Sequence, residues 1–168
     1  VFLLYLIFAS NPFTRVFPVP LTGQDLNPLL QDPFMVIHPP MLYIGYVGMT
    51  LPFVAATSRL FKRDQSDDWI EVAERTTYVP WLFLTIGITL GAAWSYEVLG
   101  WGGYWAWDPV ETGSILPWFA LLLIIHARST HDSSTSIKVS PAFGLLAGAL
   151  AIHATLVTRA NGVWASVH

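Results

Sequence analysis

Five histidines, His38, His126, His131, His153 and His168, and the run "WGGYWAWDPVE" at 101–111 hold the residue types of this chain best suited to chemistry. Cysteine is absent, which excludes thiol nucleophiles, disulfides and thiolate metal sites. Trp101, Tyr104, Trp105 and Trp107 crowd one short loop, with Trp94 and Trp118 nearby in sequence. The plainer reading is an interfacial aromatic belt, which needs only isolated rings at helix ends. Crowding suits a different purpose, because Gly100, Gly102 and Gly103 let the backbone bend and allow a flat apolar ligand to approach closely. Two imidazoles flanking such a platform are what a six-coordinate haem iron requires. A closed zinc site fits less well, with no Cys and few acids on that side of the chain.

The elements that must position these residues are membrane helices. Of 168 residues, 54% are hydrophobic and 11% charged, outside the usual range of a soluble domain. Crossing a hydrocarbon core of roughly 30 Å takes about 20 helical residues. Four stretches meet that requirement: 40–58, 78–96, 109–127 and 141–158. The expected fold class is therefore all-α, a polytopic helix bundle in one membrane domain over 1–168. A fifth apolar stretch, Val1 to Ala9, is short and has neither the basic start nor the cleavage site of a signal peptide. It reads as the end of a truncated helix, and the chain as a piece of a longer protein.

Orientation follows from the basic residues. Arg59, Lys62, Arg63 and Arg75 in one linker, and Arg128 and Lys138 in another, place those linkers on the cytoplasmic side. Segments 10–39, 97–111 and 159–168 then share the outer face, with Arg15 and Arg159 as exceptions to the bias. A net charge of -3 gives no support to nucleic-acid binding. The linker at 59–75 reads as a solvated interfacial segment, and the Ser/Thr-rich one at 128–138 as a plain connector.

His38 ends the first outer loop and His168 lies in the last, so both stand on the tryptophan face. Pro39-Pro40 is expected to open the first span. Asp108-Pro109-Val110-Glu111 reads as the start of the third, with Asp as cap, Pro in first position and Glu closing a capping box. The acids thus have a structural task. His126 lies about 17 residues into that span, roughly 25 Å down its axis, and cannot reach the outer face. His153 sits about six residues from the outer end of the fourth span, a poor match in depth. Any partner of His126 is therefore expected beyond this chain, while His131 is solvated in the inner linker.

Several motifs in order carry a family resemblance: "NPF" at 11–13, "DLNPLLQDP" at 25–33, "HPPMLYIGYVG" at 38–48, "YEVLGWGGYWAWDPVE" at 96–111 and "NGVWASVH" at 161–168. Together they resemble the CcmF/NrfE family of system I haem lyases, whose tryptophan-rich stretch is the WWD signature. The resemblance implies that His38 and His168 are axial ligands of an outer haem b. It also implies a platform of Trp101, Gly102, Gly103, Tyr104, Trp105, Trp107 and Trp164. His126 would ligate a second, membrane-embedded haem. Implied partners are the haem chaperone CcmE, thiol-handling subunits of the CcmG and CcmH type, apocytochrome c and membrane lipid. The implied location is a prokaryotic plasma membrane with the site on its periplasmic face, or the mitochondrial inner membrane. Where relatives continue "DPVENASFMPW", this chain has Thr112 for the Asn and Gly113 for the Ala.

The implied activity is thioether attachment of haem to apocytochrome c, with no catalytic acid or base assigned. A haem carrier of the related CcmC type is the alternative from the binding class; it would transfer haem without forming thioether bonds. A quinol-binding electron-feeding subunit is a third reading, to be judged by redox coupling between quinol and bound haem.

Overall fold

A computed structural model describes residues 2–9, 11, 13–15, 17–23, 25–62, 68–127 and 133–159. The chain divides into two units, Val1–Leu30 and Gln31–His168. In the first, helix α1 (Phe2–Phe8) matches the short apolar stretch read from the sequence. Two asparagines organise the segment after it. Asn11 Oδ1 accepts the Phe13 N–H at 2.9 Å, and Asn27 Oδ1 accepts the Leu29 N–H at 3.1 Å, beside a 3-10 turn at Pro28–Leu30. Such side-chain bonds let Asn hold a turn without a ladder.

The second unit holds α2 (Pro33–Gly48), α3 (Thr50–Phe61), α4 (Asp68–Val98), α5 (Pro109–Ala127) and α6 (Ser133–Arg159). No strand occurs among the described residues, so the fold is all-α as expected. Four spans are long and apolar enough to cross a bilayer: Pro33–Phe61, Glu71–Val98, Pro109–His126 and Pro141–Arg159. The first joins α2 to α3 through Met49, whose N–H bonds Gly45 O at 3.1 Å and whose own carbonyl accepts from Phe53 at 3.2 Å. Backbone pairing thus carries across the junction, as lipid demands of any spanning segment.

Two boundaries differ from the sequence reading. Helix α2 begins at Pro33 and carries Pro39 and Pro40 inside it, so Pro39-Pro40 does not open the span. The reason is Asp32, which caps α2 by accepting the Phe34 N–H at 2.8 Å, with Pro33 in first position. His38 accordingly lies on a helix, about 8 Å past its start, rather than in the preceding loop. The linkers read at 59–75 and 128–138 are also shorter than expected, since α3 runs to Phe61, α4 starts at Asp68 and α6 starts at Ser133.

Neighbouring helices run antiparallel and meet through glycines. A Cβ at Gly45 would stand 2.6 Å from Leu84 Cγ, and one at Gly87 would stand 2.7 Å from Leu42 Cδ2, which fixes the register of α2 on α4. On the other flank, a Cβ at Gly148 of α6 would stand 2.4 Å from the Phe53 ring of α3. Between helices that are otherwise solvated by lipid, such close backbone approach supplies the packing that hydrophobicity alone does not. Met49, Leu84, Ala120, Leu121, Ile124 and Ala147 form the buried centre. Most polar groups within the spans find internal partners, the buried Trp81 Nε1–H being an exception. Thr57, Thr77, Thr85, Thr89 and Thr155 each donate to the carbonyl four residues back, and Trp118 Nε1–H donates to Thr85 Oγ1 at 2.7 Å. Alternating helix direction leaves Asp32, residues 99–108 and Arg159 at one end of the bundle.

Candidate functional site

In the half of the bundle nearer that end, His38 packs on α4. Its Nδ1 lies 2.7 Å from Gly87 O, and because a carbonyl oxygen only accepts, Nδ1 carries the proton. The ring's basic nitrogen is therefore Nε2. A histidine that ligates metal characteristically donates its other N–H to a backbone carbonyl, which fixes both tautomer and orientation. Gly91 makes this position available, since a Cβ there would stand 2.6 Å from His38 Cε1.

The aromatic loop is tied at both sides. Toward α4, Ser95 Oγ–H donates to Gly103 O at 3.3 Å, and the Tyr96 ring stacks on Tyr104 with centroids 4.4 Å apart and planes 9° off parallel. Toward α5, Asp108 Oδ1 accepts the Glu111 N–H at 2.8 Å, the cap read from the sequence. Glu111 differs from a standard capping box in one respect. Its Oε2 reaches past the cap residue to the Ala106 N–H at 2.7 Å, and the side chain is only 6% exposed. Both acids are thus engaged in structure.

Between these ties the backbone is bent at three positions. Gly100 and Gly102 have φ of 72° and 76°, and Trp107 has φ of 58°. A left-handed conformation costs a residue with a Cβ roughly 1–2 kcal/mol. At Trp107 it is held by the Glu111–Ala106 bond just before and the cap just after. The outcome is a set of exposed rings, Trp101, Tyr104 and Trp107, the last 70% exposed, with Trp105 set edge-on to Trp107 at 5.8 Å.

Several residues in or near the loop have other tasks. Trp94 is buried in the bundle at 1% exposure, and Trp118 stacks on Trp81 at 5.8 Å, so neither contributes a face to the loop. Gly103 is covered by the Trp101 ring, where a Cβ would stand 2.3 Å from Cζ3; its missing side chain accommodates an indole of the same loop. A Cβ at Gly102 would meet nothing within 4 Å. Gly113 faces α6, 3.5 Å by its Cβ position from Ala154 Cα. His126 is exposed in the last turn of α5 and donates Nδ1–H to Leu122 O at 2.8 Å, so it has the same tautomer as His38 at the opposite end of the bundle. His153 is exposed on α6. Trp164, His168 and His131 lie outside the described residues.

Sequence reasoning did not find Gly87 and Gly91, which seat His38, nor Ser95 and Tyr96, which hold the loop. The small residues spaced along "IGITLGA" at 86–92 were the available signal of a close helix contact.

Among the described residues no three metal-ligating side chains converge. A porphyrin brings its own equatorial ligands and asks the protein only for axial ones, which a tautomer-fixed imidazole can supply. The buried Trp105 Nε1–H has no acceptor among the described residues. A planar ligand bearing carboxylates would offer one, so the donor set fits a haem.

Fold and site define an integral membrane protein of helical spans that presents a glycine-bent aromatic loop and an oriented histidine at one end of its bundle. The chain belongs to the cytochrome c assembly protein family, whose model matches residues 1–160. It is 43% identical over 169 residues to the cytochrome c-type biogenesis protein CcmF of Haemophilus influenzae, covering 99% of this chain and 26% of that protein. It is 43% identical to the NrfE protein of the same organism over 168 residues, with the same coverage, and 42% identical to CcmF of Escherichia coli. A solved structure titled cytochrome c heme lyase CcmF superposes with a TM-score of 0.68 at 38% identity, over 77% of this chain and 22% of that one. The chain thus spans about a quarter of the length of these relatives.

Proposed function

We propose that this chain forms the haem-holding part of a cytochrome c maturation protein. Haem, the substrate, lies against Trp101, Tyr104, Trp105 and Trp107 on the periplasmic face, with His38 and His168 as axial ligands and Trp164 as a further wall. The observation that carries the reading is the 2.7 Å bond from His38 Nδ1–H to Gly87 O, which fixes the ring's tautomer and seats it on α4, the helix that leads into the exposed aromatic loop.

The chemistry belongs to haem and to the incoming thiols. In each thioether-forming step an S–H of apocytochrome c adds across a vinyl C=C, with no leaving group. The chain's own contribution is orientation: rings cover the porphyrin, histidines fix the iron, and the bent loop holds one edge toward the apocytochrome. Asp108 and Glu111 hold the loop and exchange no proton. CcmE supplies the haem, and CcmG- and CcmH-type subunits keep the apocytochrome thiols reduced. His126 would hold a second haem b within the membrane, with a partner imidazole from beyond this chain.

The test is His38→Gly in the full-length protein, followed by absorption spectra and by cytochrome c yield in a maturation assay. The expected result is loss of the six-coordinate spectrum and of mature cytochrome, with the spectrum restored by added imidazole. An unchanged spectrum and yield would overturn the assignment. Haem transfer to apocytochrome without thioether formation by the wild-type protein would show a carrier instead.

A further inference from the structure

Arg159 closes α6 at the outer end, opposing the cytoplasmic bias of the other basic residues in the second unit. Among the described residues of that unit it is the one Lys or Arg at this end. Its guanidinium donates from Nη2 to the Tyr43 hydroxyl, a neutral partner on the helix that carries His38. No carboxylate among the described residues pairs with it. A cation in the last turn of a helix is favoured by the dipole, but the dipole does not account for the lateral reach to α2.

Packing fixes its height. Ala154 and Val157 lie against Gly113, one turn into α5, at 3.5 and 3.8 Å from the position of a Cβ there. With α6 antiparallel to α5, Arg159 stands about 3 Å beyond Val157, level with the Asp108-Pro109 end of the aromatic loop. The bond to Tyr43 ties that same guanidinium to the helix of His38. One cation therefore joins the two elements that the proposed haem site draws on.

Resting on that reading of the site, we infer that Arg159, steadied by Tyr43, binds the carboxylate edge of the porphyrin. Aromatic rings take the apolar body of the ligand, and beyond the neutral Trp105 Nε1–H they offer no charge to its anionic edge. A guanidinium presents a planar fork of donors matched to a carboxylate, and one bond to a phenol leaves most of that fork directed elsewhere. The phosphate of an outer-leaflet lipid has similar oxyanion chemistry, and the experiment separates the two.

Full-length protein in phosphatidylcholine nanodiscs is titrated by absorbance with ferric protoporphyrin IX and with its dimethyl ester, in wild type, Arg159→Gln, Arg159→Lys and Tyr43→Phe. Arg159→Gln is expected to weaken binding of the free acid about tenfold and leave the ester unchanged, as loss of one charge-assisted contact would. Lysine should recover part of the loss, and Tyr43→Phe should show a smaller one. Equal effects on both porphyrins, or on neither, would overturn the proposal. So would an effect that emerges only when phosphatidylglycerol is added, which would assign Arg159 to the phosphate of a net-anionic lipid, one without the choline cation that neutralises it in phosphatidylcholine. His38→Ala, run in parallel, reports on the haem site itself. If it leaves the spectra of both porphyrins unchanged, the haem-site reading fails and this proposal with it; if it changes both while Arg159→Gln changes neither, only this proposal fails.

Discussion

The indole of Trp101 lies on Gly103, so closely that a Cβ at 103 would stand 2.3 Å from Cζ3 and 2.6 Å from Cη2. The glycine is needed by the loop itself, before any ligand arrives. Gly103→Ala should therefore lift the ring from its seat at a cost of about 1–3 kcal/mol, the range for forcing a methyl into a packed site. Differential scanning fluorimetry of the full-length protein checks the stability change, and haem titration checks the surface. A Cβ at Gly102 would meet nothing within 4 Å, so Gly102→Ala strains only its φ of 76°, at about 1–2 kcal/mol, without moving the ring. If both variants weaken haem binding equally, the Trp101 seat has no separate role.

Glu111 separates a structural acid from a catalytic one. Its carboxylate accepts the Ala106 N–H at 2.7 Å, and nearly all of its surface is buried. Glu111→Gln keeps an acceptor at that place, whereas Glu111→Ala leaves a part-buried N–H unpaired, at about 1–3 kcal/mol. Cytochrome c maturation should be largely kept by the glutamine and reduced by the alanine, in step with the fall in melting temperature. Loss of maturation in Glu111→Gln at unchanged melting temperature would mean that the carboxylate handles a proton.

How far the sequence could be read depended on whether a signal is local. The cap at Asp108-Pro109 needs only neighbours a few residues apart, and the number and order of spans need only hydropathy, so both were legible. Asp32-Pro33 carries the same cap signature as Asp108-Pro109, and it starts α2 ahead of the more conspicuous Pro39-Pro40. A cap that satisfies the first N–H groups can initiate a helix, which then runs on through two prolines. Trp94 precedes the loop by few residues, yet it closes the bundle interior. Proximity along a helix says nothing of which side a ring faces. The seat of His38 joins residues 49 positions apart, and no periodicity in either helix alone reports it.

That seat gives the last prediction. Alanine is the better helix former by about 1 kcal/mol, so Gly91→Ala should favour α4 on local grounds. Its Cβ, however, would stand 2.6 Å from His38 Cε1 and 2.9 Å from Nδ1, and the imidazole must move away from Gly87 O. Gly48→Ala is the matched control, because it crowds the same pair of helices, 3.0 Å from Pro80 Cβ, without touching a histidine. Absorption spectra of the full-length protein loaded with haem should show the six-coordinate form diminished in Gly91→Ala and kept in Gly48→Ala, while both retain their helical circular dichroism. Equal spectra in the two variants would mean that the position of His38 on α4 does not govern ligation. A spectrum lost in both would assign the effect to helix packing in general. Only the asymmetric result ties the ligand field to the contact between His38 and the glycine face of α4.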